Sequence, residues 1–302
     1  MPPHDPFGAQ ARRTPERTTM ARLGVITDEI SEDFEQALAV CTELGIRDVE
    51  LRSIWNTSIV EHDDESLDRI GKLLADGGFS VCGIASPFLK CHIAGDGAAE
   101  GRTHSASETT REQQWDVLAR SLEVADRFDA PIVRTFSFWR IADPISVRDD
   151  ILATLQEATA RVKQAGRLLG LENEHACNIA TGEEAAWYLE RIPDTTLGLI
   201  WDPGNEAALG CAPFPTGYNA VRDRIHHVHL KDATNLGEPV GFTVMGEGII
   251  PYEEQFRALH ADGYDGVLSL ETHFNLDGGR EAATRACAAA TRDIAARAGL
   301  PL

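Results

Sequence analysis

Residues 169–202 read LGLENEHACNIATGEEAAWYLERIPDTTLGLIWD. Two short apolar runs, LGLE at 169–172 and LGLIWD at 197–202, flank a segment around 183–191 whose apolar residues recur at helical spacing. Parallel strands require a crossover of about this length, usually a helix, so the stretch predicts a strand–helix–strand unit. Each strand also ends on a carboxylate, Glu172 and Asp202.

The alternation continues in both directions. Upstream lie strand candidates at 23–27 (LGVIT), 49–52 (VELR), 81–85 (VCGIA) and 132–138 (IVRTFSF), and downstream at 226–230 (HHVHL) and 267–271 (VLSLE). Helical segments fill the intervals. One places Phe34, Leu38 and Cys41 on a single face, with Ser31 as the expected N-cap and Gly45 as the stop. Another occupies 67–76 before Gly77-Gly78, a third carries Trp115, Leu118, Leu122 and Ala125, and a fourth spans 151–168. A short irregular link precedes 226–230, Pro251 is placed for the first turn of a helix ending at Gly263, and an Ala-rich helix runs to about Arg297. Eight strand–helix pairs predict one α/β domain, a (β/α)8 TIM barrel with eight parallel strands and outer helices. A doubly wound sheet would carry a Gly-rich phosphate turn after its first strand. Here that position reads DEISEDF, at 28–34, without a glycine.

No linker divides the chain, so the barrel is expected over 21–302. Residues 1–20 are polar, rich in Pro, Arg and Thr, and lack the apolar core of a secretory signal; they read as a disordered tail. The Gly, Ala, Ser and Thr-rich stretch at 91–110 reads as a surface loop beside the third strand, and as a candidate lid. The 302 residues carry 28 Lys+Arg against 48 Asp+Glu, a net charge of −20. Duplex nucleic acid is therefore an unsuitable partner, because that affinity comes from basic groups displacing counterions. No run approaches the roughly 20 apolar residues of a membrane span. Six scattered cysteines form no C-x-x-C pair, which points to reduced thiols and a cytoplasmic setting.

Polar residues at the C-terminal ends of barrel strands face the active site. Glu172, Asp202, His229 and Glu271 arrive from strands five to eight. Three carboxylates and one imidazole suit Mn2+, Mg2+ or Co2+ better than a thiolate zinc site. Carboxylates buried side by side repel one another unless a cation compensates them. Two plainer roles stay open at this point: Asp202 as an Asx-turn cap after WDPGN, and His229 as a hydrogen-bonded core histidine.

LENEH (171–175), WDPGN (201–205), HVHLKD (227–232), GEGIIPYEEQFRALHADGYDG (246–266) and SLETH (269–273) together resemble the xylose-isomerase-like barrel superfamily of sugar phosphate isomerases and epimerases. The resemblance covers about 23–297. It implies a Glu-Asp-His-Glu metal set at Glu172, Asp202, His229 and Glu271 holding one divalent ion, Mn2+ ahead of Mg2+ or Co2+. It also matches Lys231 and Asp232 to an H-x-K-D segment and Glu247 to the acidic residue of a G-E-G turn, and implies a homodimer or homotetramer. Many ketose epimerases of that superfamily have a histidine three residues after the strand-six aspartate, where this chain has Asn205. Asparagine hydrogen-bonds a hydroxyl without titrating near neutrality, which counts against a ketose 3-epimerase in particular.

The expected activity is a metal-dependent isomerase or epimerase acting through an enediolate on a small sugar or related hydroxycarbonyl compound, with Glu172 and Glu271 as the acid/base pair. Arg134, Asn205, Lys231, His273 and Glu247 are the candidate substrate-binding residues. Arg134 in particular needs a carboxylate or ligand as partner inside an apolar strand. Arg52 is a further candidate, whereas Phe136, Phe138 and Trp139 read first as core. Lys90, Glu174 and His175 are expected at a solvated rim. Strand alternation puts His227 on the face of His229, below the site, and turns His226 against a helix. The alternatives are a lyase or dehydratase acting on a keto-sugar, by 3-keto C-glycoside cleavage or dehydroshikimate-type dehydration, a non-catalytic sugar-binding barrel, and an apurinic endonuclease. The last needs more histidine ligands than VELR and GIASP supply.

Overall fold

The computed structural model describes residues 20–93 and 110–302. The expected tail, up to residue 19, and the greater part of the expected loop at 91–110 lie outside the described residues. Eight strands form the barrel: β1 (Arg22–Ile26), β2 (Asp48–Leu51), β3 (Ser80–Ile84), β4 (Ile132–Thr135), β5 (Leu168–Glu172), β6 (Leu197–Trp201), β7 (Ile225–Leu230) and β8 (Val267–Leu270). All pairings are parallel, in chain order, and β8 closes on β1 with Leu23 opposite Leu268. Closure leaves no free strand edge, and helices cover the outer face.

The helices are α1 (Phe34–Leu44), α2 (Asp64–Gly77), α3 (Gln114–Arg127), α4 (Arg148–Gln164), α5 (Gly182–Arg191), α6 (Pro203–Ala208), α7 (Tyr218–Val221), α8 (Tyr252–Ala261) and α9 (Gly279–Ala298). Asp33, not Ser31, caps α1: its carboxylate accepts from Gln36 N at 3.0 Å, and the Ser31 hydroxyl accepts from Asp33 N instead. The helix expected over 151–168 ends at Gln164, because Gly166 turns left-handed (φ 70) and Leu168 already starts β5. A capping box, Thr181 with Glu184, starts α5. The link expected to be irregular before β7 contains α6 and α7, and Pro251 is the N-cap of α8, one residue short of its first turn. All six cysteines are free, and only Cys211 is exposed. Among the described residues, no helix is long and apolar enough to cross a membrane.

Outward residues such as Val49, Leu51, Leu171, Val228 and Leu268 are fully buried between strands and helices. The barrel interior is different. Glu50 of β2 meets His227 and His229 of β7 across it, so its inner layers are partly ionic. The register slips between Leu199 and Ile200, where β6 pairs with β7. His226 accordingly does not face a helix: its ring packs over Gly198, and Nε2 bonds the Thr195 carbonyl at 2.9 Å.

Candidate metal centre and active site

The site forms where β5 to β8 end. Glu172 is the last residue of β5, Asp202 follows β6, His229 is the fifth residue of β7, and Glu271 follows β8. All four are buried, at 1%, 0%, 0% and 3% exposure. One ligand atom from each lies within 4.8 Å of the others. His229 Nδ1 faces Glu271 Oε2 at 3.4 Å, Glu172 Oε1 at 3.6 Å and Asp202 Oδ2 at 4.0 Å. The capping role open for Asp202 coexists with this one. Its Oδ1 accepts from Asn205 N at 2.9 Å to cap α6, while Oδ2 turns into the cage.

Each glutamate has one oxygen held by an arginine and the other directed inward. Arg134 Nη1 donates to Glu172 Oε2 at 3.0 Å and is braced by the carbonyls of Ala85 and Ser86. Glu172 Oε1, on the cage side, accepts from Asn205 Nδ2 at 3.1 Å. Arg52 Nη1 donates to Glu271 Oε1 at 2.8 Å, and its other donors reach Asp28 Oδ2 and Glu29 Oε1. Lys231 Nζ lies 2.8 Å from both Glu271 Oε2 and Asp202 Oδ2. Burial pushes the Glu172 carboxyl up, but Arg134 and His229 outweigh it and hold the group below its ordinary range. Glu271 goes further down, burial being overcome by Lys231, His273 and His229. Asp202 goes up to about 6, because burial together with the Glu271 and Glu172 charges exceeds the pull of Lys231.

The donor set fits a divalent cation. His229 Nδ1 is buried without a hydrogen-bond partner, Asp202 Oδ2 is met by the Lys231 ammonium at 2.8 Å, and both point into the same small space among carboxylate oxygens. A buried imidazole nitrogen is rarely left so, and a cation ligated by three carboxylates and one imidazole gives Nδ1 a partner while offsetting the clustered negative charge.

Above the cage opens a cavity of about 420 Å³. Arg134, Asn205 and His273 line it, along with Arg52, Glu172 and Glu271. Lys231 lies beneath it, almost fully buried, its stem passing so close to Gly204 that an added Cβ would sit 2.3 Å from Lys231 Cγ. The glycine of WDPGN is therefore required by the lysine of HVHLKD. Glu247 is not brought to the site: its side chain is exposed and outside the cavity lining. The G-E-G turn acts through its backbone instead. Gly246, Gly248 and Ile250 donate their N–H groups to the Asp232 carboxylate at 2.8, 3.0 and 3.2 Å.

Lys90 and Glu174 are not solvated rim residues. They are 4% and 5% exposed, paired at 3.2 Å, and line the cavity. His175 is half-buried, 2.8 Å from Glu174 Oε1, and reaches Glu238 at 3.4 Å. Phe136, Phe138 and Trp139 are core, with Phe136 carrying the cations of Lys90 and Arg134 against its ring. An apolar wall of the cavity comes from Val240, Phe242 and Phe274. Four acidic residues of the site went unread in the sequence: Glu50, under His229, Asp28 and Glu29, in the turn after β1, and Glu32, on the cavity wall.

A family model described as xylose isomerase-like TIM barrel matches residues 38–293. Among curated proteins, the inosose dehydratase of Lacticaseibacillus casei is 27% identical over 142 residues, covering 41% of this chain and 47% of that protein. The chain thus spans about half the length of the curated relatives it matches. Among solved structures, the IOLI protein with a bound zinc atom superposes with a TM-score of 0.73 at 15% identity, covering 91% of this chain and 98% of that one. An L-ribulose 3-epimerase superposes with a TM-score of 0.68 at 19% identity, covering 93% and 98%. These likenesses show a shared fold.

Proposed function

The chain belongs to the xylose isomerase-like TIM barrel family, and from that premise we propose that it is a divalent-metal-dependent isomerase or epimerase of a small, uncharged polyhydroxy carbonyl compound. One observation carries this reading: Glu172 and Glu271 are matched strand-end glutamates, each with one oxygen on an arginine and the other turned into the same cage. Glu172, Asp202, His229 and Glu271 would hold the ion. A bound divalent cation supplies Lewis-acid polarisation of a carbonyl, which acidifies the adjacent C–H.

The remaining work falls to the chain's own groups. Arg134 and Arg52 fix the orientation of the two glutamates, and Arg134 on Glu172 and Lys231 on Glu271 hold them ionised, so either can take the proton from the carbon beside the carbonyl at the oxygen that does not bind the ion. Return by the same glutamate to the neighbouring carbon is isomerisation, and return by the opposite glutamate to the other face is epimerisation. Asn205 and His273 line the cavity where substrate hydroxyls would lie, and Phe242 and Phe274 offer a surface to a C–H face. Arg52, Lys90 and Arg134 each already pair with a carboxylate, which supports an uncharged substrate over a phosphorylated one.

A dehydratase reading draws support from the partial match to inosose dehydratase. It starts with the same proton removal and then expels a hydroxyl. Neutral ketoses and cyclic polyhydroxy ketones, incubated with the Mn2+-supplied protein in deuterated water, separate the two readings. We expect deuterium at the carbon beside the carbonyl with no loss of water. Loss of water would establish the dehydratase reading, and neither exchange nor product across the panel would contradict both.

A further inference from the structure

We propose that Glu50 is a positioning residue that fixes His229 as a cage ligand through Nδ1. The inference rests on the reading of the four-residue cage as a cation site. Glu50 is the third residue of β2, 1% exposed, and lies inside the barrel on the side of His229 away from the cage. Its Oε2 is 3.0 Å from His229 Nε2 and 3.2 Å from His227 Nε2. An ionised carboxylate only accepts hydrogen bonds, so both imidazoles must present an N–H at Nε2. With Nε2 protonated, a neutral His229 carries its lone pair on Nδ1. That is the nitrogen facing the Glu172, Asp202 and Glu271 oxygens with no hydrogen-bond partner.

A purely structural ion pair accounts poorly for the arrangement. Interior layers of such barrels are ordinarily filled by branched apolar side chains. A carboxylate placed among them carries a desolvation cost that pairing seldom repays. His227 completes the arrangement from the same strand, its ring 5.4 Å from that of His229 and turned 89° to it, with both N–H groups converging on one oxygen. Glu50 Oε2 is thereby held towards His229 by two contacts. A carboxylate behind a ligating imidazole fixes both tautomer and ring orientation, and raises the basicity of the ligand.

Calorimetric titration of Mn2+ into the metal-stripped full chain tests this with three proteins: wild type, E50M, which removes the acceptor, and E50Q, which keeps an uncharged one. We expect E50M to bind about 10- to 100-fold more weakly than wild type, with E50Q in between. Nitrogen-15 NMR of the histidine rings in the Zn2+-loaded wild type should show His229 protonated at Nε2 and metal-shifted at Nδ1, a result that does not depend on either variant folding. Wild-type affinity in a folded E50M, or metal on Nε2 of His229, overturns the role of Glu50 while leaving the cage intact. Absence of binding by the wild type overturns the cage reading itself, and the role of Glu50 with it.

Discussion

E271Q is expected to remain folded and to lose about a thousandfold in turnover, the scale set by removing a positioned acid/base group. Glutamine preserves the shape of the side chain, and its amide oxygen can still accept from Arg52 Nη1, so the wall of the cavity stays in place. It cannot accept a proton from carbon, and it brings no negative charge to the cage. Rates are to be followed by deuterium incorporation on a substrate that the wild type exchanges, with circular dichroism confirming the fold. Loss of turnover in a folded E271Q separates an enzyme from a barrel that only binds its sugar. Full turnover in E271Q would remove Glu271 from the acid/base pair.

R52M is expected to lower stability by about 3–5 kcal/mol at neutral pH, the cost of leaving buried charges without their partner. Arg52 is 5% exposed and binds three carboxylates, Asp28, Glu29 and Glu271. Burial pushes the Glu29 carboxyl up, yet His273 and Arg52 together hold it down at about 2; Asp28 stays above its ordinary value because burial exceeds the pull of Arg52. In the parent, a carboxyl depressed in this way adds stability at pH values above its unfolded pKa, and that stability is lost as pH falls through about 2. Without Arg52 the folded-state pKa values of Asp28 and Glu29 rise relative to those of the parent. The variant's folded state then binds more protons than the parent's, and the deficit grows as pH rises from about 2 through the raised values. Urea midpoints of R52M and wild type should therefore converge in acid and separate towards pH 8. A constant difference across that range would mean that lost packing, and not orphaned charge, sets the effect.

The barrel was legible because each strand–helix pair is punctuated locally: Gly45 and Gly78 stop helices in left-handed conformations, and Thr181 with Glu184 opens one. The cage was legible for a related reason. Glu172, Asp202 and Glu271 stand where an apolar run stops, a place that has a fixed meaning in this architecture. Glu50 was not read, because in VELR it alternates with Val49 and Leu51 and looks like a solvent-facing residue. In a closed barrel both strand faces are covered, so alternation with polar residues marks the interior; applied to β2, that rule singles out Glu50. Asp28 and Glu29 were read only as the glycine-free stretch that argued against a phosphate turn. In the structure, a single 3-10 turn, Thr27–Glu29, folds both back over the barrel mouth onto Arg52. Lys90 and Glu174 lie 84 positions apart, and nothing local in either segment signals that they pair. Glu247 shows the opposite failure: a recognisable turn whose chemistry lies in its backbone N–H groups rather than in its conspicuous side chain.

Anomalous diffraction at the manganese edge, from crystals grown with Mn2+, tests the central claim directly. One strong peak enclosed by Glu172, Asp202, His229 and Glu271 is expected, with Nδ1 as the histidine ligand. A map with no peak there, or with its strongest peak at other residues, would contradict it.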